Sequence, residues 1–235
     1  RPFYGSEELL HNKERWCLWL EDLSASELTK SSILKERVSA CQTHRSSSTR
    51  AATRKLAEYP TLFGERRQPE QTYLCVPRHA SSIPKYWIAD LYSEDIVSSD
   101  ANATVVDPSG LMFGLLSSSM FMVWQATVGG RIKSDYRFAN TVTWNTFPVP
   151  KLDEKTRQKI ITAGQKVLEA RALQPGVSLA DQYNPHVMKR ELRKAHDALD
   201  SVVDKAFGAS RKLTTESQRL EFLFRHYLEL PQRQG

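Results

Sequence analysis

Residues 189–207, KRELRKAHDALDSVVDKAF, place Leu192, Ala195, Leu199, Val202, Val203 and Phe207 at three- and four-residue steps. On a helix that spacing gathers all six on one side, so the stretch must lay an apolar stripe against another element. Two more helices flank it. Asp153 stands at an N-cap position ahead of EKTRQKIITAGQKVLEARAL, which closes at Gln174, Pro175 and Gly176. Thr215 opens another that carries Leu220, Leu223, Phe224, Tyr227 and Leu228. Before Pro150 the pattern is different. Short β-rich runs at 72–77, 85–92, 103–108 and 131–138 alternate with helical segments at about 26–58 and 110–127. The expectation is an α+β fold, with a mixed domain over 1–150 and a helical region over 151–235. Pro185 is expected to start the helix that carries the apolar stripe, and the serines at 46–48 to form a loop.

The chain is large enough for a substantial core, with 235 residues of which 40% are hydrophobic. Its longest apolar stretch, LMFGLLSSSMFMVWQATV, is broken by Gly114 and three serines, so no membrane span is predicted. Cys17, Cys41 and Cys75 are an odd number, far apart and without a CxxC pair. That usage fits a reducing cytoplasm better than a disulfide scaffold or a zinc site. The chain begins with Arg and shows no leader, which favours a piece of a longer protein.

The net charge of +6 is unevenly spread. Residues 30–67 carry 9 basic and 3 acidic side chains, and residues 151–235 carry 16 and 11, whereas acids prevail in 1–29 and 68–150. The first basic block, with Lys30, Lys35, Arg37, Arg45, Arg50, Arg54 and Lys55, suits a polyanion through phosphate neutralisation. A solvated helical surface would account for it equally well.

Catalytic patterns are absent. There is no GxGxxG, P-loop or HExxH, and the six histidines lack ligand spacing. Asp153 and Lys155 echo the end of a nuclease Asp-x-Lys, but they sit where a helix starts and have no acidic partner upstream. Asn184, Pro185 and His186 lack the second proline and the aromatic ring of a base-flipping Asn-Pro-Pro-aromatic loop.

The sharpest pattern lies in GGRIKSDYRF, residues 129–138. Arg131, Lys133, Asp135 and Arg137 alternate with Ile132, Ser134, Tyr136 and Phe138, which predicts a strand with a charged face and a packed back. On such a strand Lys133 and Asp135 stand side by side. Lys can donate to guanine O6 or N7 while Asp accepts from the cytosine N4 amino group, with Arg131 and Arg137 on flanking phosphates. Simple charge pairing of Asp135 with its neighbours is the alternative.

Four stretches carry a resemblance: RPFYGSEELLHNKERWCLWLEDLS, YLCVPRHASS, FGLLSSSMFMVWQATVGGRIKSDYRFANTVTWNTFPVP and SLADQYNPHVMKRELRKAHDALDSVVDKAFG. Together they resemble the C-terminal part of MmeI-like enzymes, bacterial single-chain restriction-modification proteins. In that family a nuclease region, a helical connector and an adenine-N6 methyltransferase domain precede a target recognition domain and a helical C-terminal region. The resemblance implies that Lys133 and Asp135 occupy two variable positions that act together as a base-pair reader, here for G·C with guanine facing Lys133. It implies positioning roles for Arg131 and Arg137, and makes Arg78, and more weakly Lys85, phosphate or base contacts. It further implies double-stranded DNA and the methyltransferase and nuclease domains of the parent chain as partners. S-adenosylmethionine and Mg²⁺ would serve the parent, with no cofactor and no catalytic residue in this stretch. The alternative is a module that packs on the methyltransferase through its helices and reads no base.

Overall fold

In a computed structural model the described residues are 1–81 and 83–230, and they form an α+β fold. In chain order the elements are β1 (Phe3–Tyr4), α1 (Ser6–His11), α2 (Ala25–Lys30), α3 (Ser32–Ser46), α4 (Ala51–Lys55), β2 (Tyr73–Pro77) and β3 (His79–Ala80). There follow β4 (Asp90–Tyr92), β5 (Val97–Ser98), β6 (Asn102–Val106), α5 (Leu111–Leu116), α6 (Ser119–Val128), β7 (Gly130–Ile132) and β8 (Asp135–Arg137). The chain then becomes helical, with α7 (Glu154–Ala172), α8 (Leu179–Gln182), α9 (Arg190–Ala206) and α10 (Glu216–Glu229). These elements divide into two compact units: unit 1 is Arg1 with Trp16–Gln68, and unit 2 is Pro2–Arg15 with Pro69–Gly235.

Unit 1 is helical and has no fully buried residue. Ser24 and Glu27 cap α2 reciprocally, and Ser31 caps α3 through the Leu34 amide. Arg45 takes the place of a core here. Its guanidinium donates to the carbonyls of Leu56, Tyr59 and Leu62 at 3.0, 2.8 and 2.8 Å, tying α3 to the segment that follows α4. Trp19 stacks on Phe63 at 5.4 Å.

Unit 2 holds one apolar cluster that runs from β2 to α10. Tyr73–Pro77 are all buried, which is why they read as a continuous apolar run and become the central strand of the antiparallel sheet β4-β2-β6. Lys85–Ala89, expected to be strand, are not: Tyr86–Ala89 are buried, but only Asp90–Tyr92 pair with β2. The short β1 lies parallel to β5, and a third sheet has the order β3-β8-β7.

The helices close on one another at two places. At Gly114 an added methyl would come within 2.8 Å of Ile160 Cγ2, so the pair Gly114 and Gly164 lets α5 and α7 approach backbone to backbone. At the start of α6, Asp200 of α9 accepts from the Ser119 amide at 2.7 Å and the Ser119 hydroxyl at 2.6 Å. The α9 stripe is as expected: Leu192, Leu199 and Val203 are completely buried, each worth about 1.5–3 kcal/mol. Asp153 caps α7 through Thr156, and Thr215 caps α10 through Gln218. Pro185 does not start α9 but lies in a turn closed by the amides of Val187 and Met188 on the Asn184 carbonyl, because the helix awaits Arg190.

Candidate nucleic-acid interface

The charged stretch at 131–138 is two strands, not one. β7 and β8 pair antiparallel with Gly130 opposite Arg137, Arg131 opposite Tyr136 and Ile132 opposite Asp135, and Lys133 and Ser134 form the connection. Lys133 has φ of 56°, a left-handed conformation costly for a residue with a Cβ. A reversal through two residues changes the parity of the pattern. Residues that would alternate along one strand now pair across two, so Asp135 and Arg137 share a face with Ile132 and Gly130. Arg131 lies on the other face with Tyr136. Ile132, expected on a packed back, is 48% exposed, whereas Phe138 is buried as expected.

The hairpin is held from behind. β3 pairs with β8, setting His79 opposite Arg137 and Ala80 opposite Tyr136. Buried Gln125 of α6 donates from Nε2 to the Arg137 carbonyl at 3.1 Å, and Phe138 donates to the Arg78 carbonyl at 2.9 Å. Arg131 folds over Tyr136 with 4.2 Å from guanidinium carbon to ring centroid. Lys133, Asp135 and Arg137 are exposed, and among the described residues none of the three is in an ion pair. Asp135 is therefore not neutralised by the cations around it.

The remaining predicted residues are distributed unequally. Arg78 is half-buried and donates from Nε to the Asp100 carbonyl at 3.0 Å, one strand away from Arg137. Lys85 sits apart, its ammonium 5.0 Å from the Tyr86 ring centroid. It lines a cavity of 470 Å³ shared with Asp197, Asp200, Asp204 and Tyr136. There Asp204 is paired bidentately with Arg219 at 3.0 and 2.8 Å, yet burial outweighs the pairing and raises its carboxyl above the usual range. Lys212 and Arg219 line the same cavity, so Lys85 stands in a mixed-charge setting. His79 was missed because a lone histidine in VPRHASS carries no spacing signal. The sheet brings it beside Arg137 with its side chain exposed.

Comparison with known proteins decides the family. Residues 1–151 match the family described as MmeI, target recognition domain, and residues 152–233 match that described as MmeI, C-terminal domain. The chain belongs to the MmeI family. The curated relative DNA methyltransferase A of Bacillus subtilis (strain 168) is 33% identical over 233 residues, covering 99% of this chain and 26% of that protein. A solved structure of the type IIL restriction-modification enzyme MmeI in complex with DNA superposes with a TM-score of 0.91 at 36% identity, covering 97% of this chain and 30% of the other. The chain thus spans about a quarter to a third of the length of these two proteins. Among its described residues no three His, Cys, Asp or Glu side chains group as a metal site, and no helix is long and apolar enough to cross a membrane.

Proposed function

We propose that this chain is the DNA sequence-reading module of a single-chain restriction-modification enzyme, and that the β7–β8 hairpin is its base-reading element. A two-stranded ribbon fits the major groove of B-DNA. The observation that carries the reading is Asp135: an exposed carboxylate in a cationic hairpin, in no ion pair among the described residues, whose oxygens can accept from a cytosine amino group. Lys133 at the tip donates to the guanine of the same pair, Arg137 fixes the hairpin on a flanking phosphate, and Arg131 positions the tip from the other face through Tyr136 and the Ser134 carbonyl. Each good base contact is worth about 1–3 kcal/mol of discrimination. Arg78 and Lys85 rank behind these four, Lys85 last because it lines a cavity with Asp197 and Asp200 and stacks on Tyr86.

Residues 1–150 are then the target recognition domain and residues 151–235 the helical support. The parent chain, acting on DNA in the bacterial cytoplasm, would supply the adenine methyltransferase with S-adenosylmethionine and the nuclease with Mg²⁺. This chain contributes no group to either reaction. The test is to express the full-length parent with Lys133→Glu and Asp135→Arg together and map methylated adenines across the genome. One base pair of the recognition sequence should invert from G·C to C·G. An unaltered sequence with methylation retained would overturn the assignment.

A packing role on the methyltransferase is favoured by one feature, the apolar side of α10, where Phe224, Tyr227 and Leu228 are 43%, 42% and 84% exposed. Were packing the whole function, DNA binding by the parent would not change when the hairpin cations are neutralised.

A further inference from the structure

Unit 1 is not explained by the hairpin. Between Glu36 and Glu58 there is no carboxylate, while residues 37–57 hold five Arg or Lys and seven Ser or Thr. A surface built only for solubility intersperses both charges; this one sets cations among short hydroxyl side chains, the donor set that contacts phosphate and sugar.

The fold shows which of these cations are occupied. Arg45 is engaged by three backbone carbonyls, and Arg54 donates to the carbonyls of Ser48 and Thr49 at 2.9 Å each, which shapes the turn between α3 and α4. Lys35, Arg37, Arg50 and Lys55 are all exposed, and none is in an ion pair among the described residues. On α3 the inner side is the partly buried row Leu34, Val38, Cys41 and Arg45, and the row one position earlier, Ile33, Arg37, Ala40 and His44, lies about 100° around the helix from it and is exposed. The absence of any fully buried residue in unit 1 means that its exposed surface is nearly all that its sequence specifies.

We propose that unit 1 is a second DNA contact, a phosphate-binding surface made by α3, α4 and the turn between them, which holds the duplex without reading bases. It rests on the DNA-reading role of the chain only in taking duplex DNA as the partner. Its contribution is affinity and residence, shared equally by specific and non-specific DNA.

The experiment uses the full-length parent with Arg37→Gln, Arg50→Gln and Lys55→Gln, and two duplexes of about 40 base pairs, one with and one without the recognition sequence. Binding is measured between about 50 and 200 mM salt. The slope of log affinity against log salt should flatten by about 0.9 for each phosphate no longer neutralised, about two to three in total, on both duplexes. The methylated sequence should stay the same, and the charge-keeping Arg37→Lys, Arg50→Lys variant should retain the wild-type slope. An unchanged slope overturns the proposal, as does a changed methylation sequence. A lower thermal midpoint without DNA, with the slope unchanged, also overturns it and makes the surface a docking face for an acidic domain of the parent. Should the hairpin double swap leave the sequence unaltered while these neutralisations flatten the slope, the base-reading assignment falls and this one stands.

Discussion

Arg131 of β7 lies over the ring of Tyr136 in β8, 4.2 Å from its centroid, and donates from Nη1 to the Ser134 carbonyl at 3.1 Å. One side chain thus clamps both strands and the turn that joins them. An exposed cation over an aromatic ring is worth about 0.5–1 kcal/mol. Tyr136→Leu is expected to loosen the tip and lower DNA affinity on every sequence alike, with the recognition sequence unchanged. Competition binding against a panel of single-pair variants checks this; selective loss at one base pair would instead make Tyr136 or Arg131 a reader.

Lys133 carries a conformational penalty for its place in the turn. Glycine adopts its φ of 56° without strain, so Lys133→Gly should relieve about 1 kcal/mol of native strain, partly offset by added freedom in the unfolded chain. The expected outcome is a thermal midpoint equal to or above that of the parent together with weaker discrimination at the proposed G·C pair. A clear drop in the midpoint would show that the lysine side chain has a structural role in the hairpin.

Gly129 connects the core to the hairpin. A methyl group there would collide with the Gln125 amide nitrogen and the Gln125 carbonyl, displacing the side chain that holds the Arg137 carbonyl. Gly129→Ala should cost about 1–3 kcal/mol of stability and reduce sequence-specific methylation more than Gln125→Ala does, since it also strains the end of α6. Urea titration and methylation assays on the two variants make the comparison.

His196 gives unit 2 a pH dependence. It is fully buried, stacks on Tyr86 at 3.9 Å and shares a hydrogen bond of 2.7 Å with the Tyr183 hydroxyl. Burial first, and the nearby Arg171 second, hold its imidazole neutral well below 6.5. On acidification the unfolded chain therefore takes up this proton before the folded one. The stability it supports is complete above about pH 6.5 and declines below that, by at most about 1.4 kcal/mol per pH unit. Asp90 and Asp204, whose carboxyls burial raises above 3.8, act in the opposite sense at lower pH. Urea midpoints should fall between about pH 7.5 and 5.5, and His196→Gln should abolish that slope.

The helical region was legible because its signals are local. Asp153 caps as read, Thr215 stands where the third helix was read to begin, and the α9 stripe repeats with the helical period. The hairpin was not, for a physical reason. Its turn is Lys133-Ser134, with neither the glycine nor the asparagine that marks a two-residue reversal, and the alternation of charges fits one strand as well as two. The charged residues of the stretch were therefore recognisable, while their arrangement on faces was wrong: Arg131 lies opposite Tyr136, away from Asp135 and Arg137. Unit 1 gave no warning of its separateness, since the inner row of α3, Leu34, Val38, Cys41 and Arg45, is only partly buried and ends in an arginine. The Asp200 clamp on Ser119 joins residues 81 apart, and no local pattern encodes such a contact.

Trp124 lies in α6, the helix that anchors the hairpin through Gln125, and its ring meets Phe224 at 5.9 Å and Tyr227 at 5.4 Å in α10. Phe147 meets Phe207 at 5.6 Å in the same way. A specificity graft cut at Pro150 would therefore strip the aromatic lining from the platform on which the hairpin stands. Moving residues 1–150 together with the helices through α10 keeps those ring contacts intact.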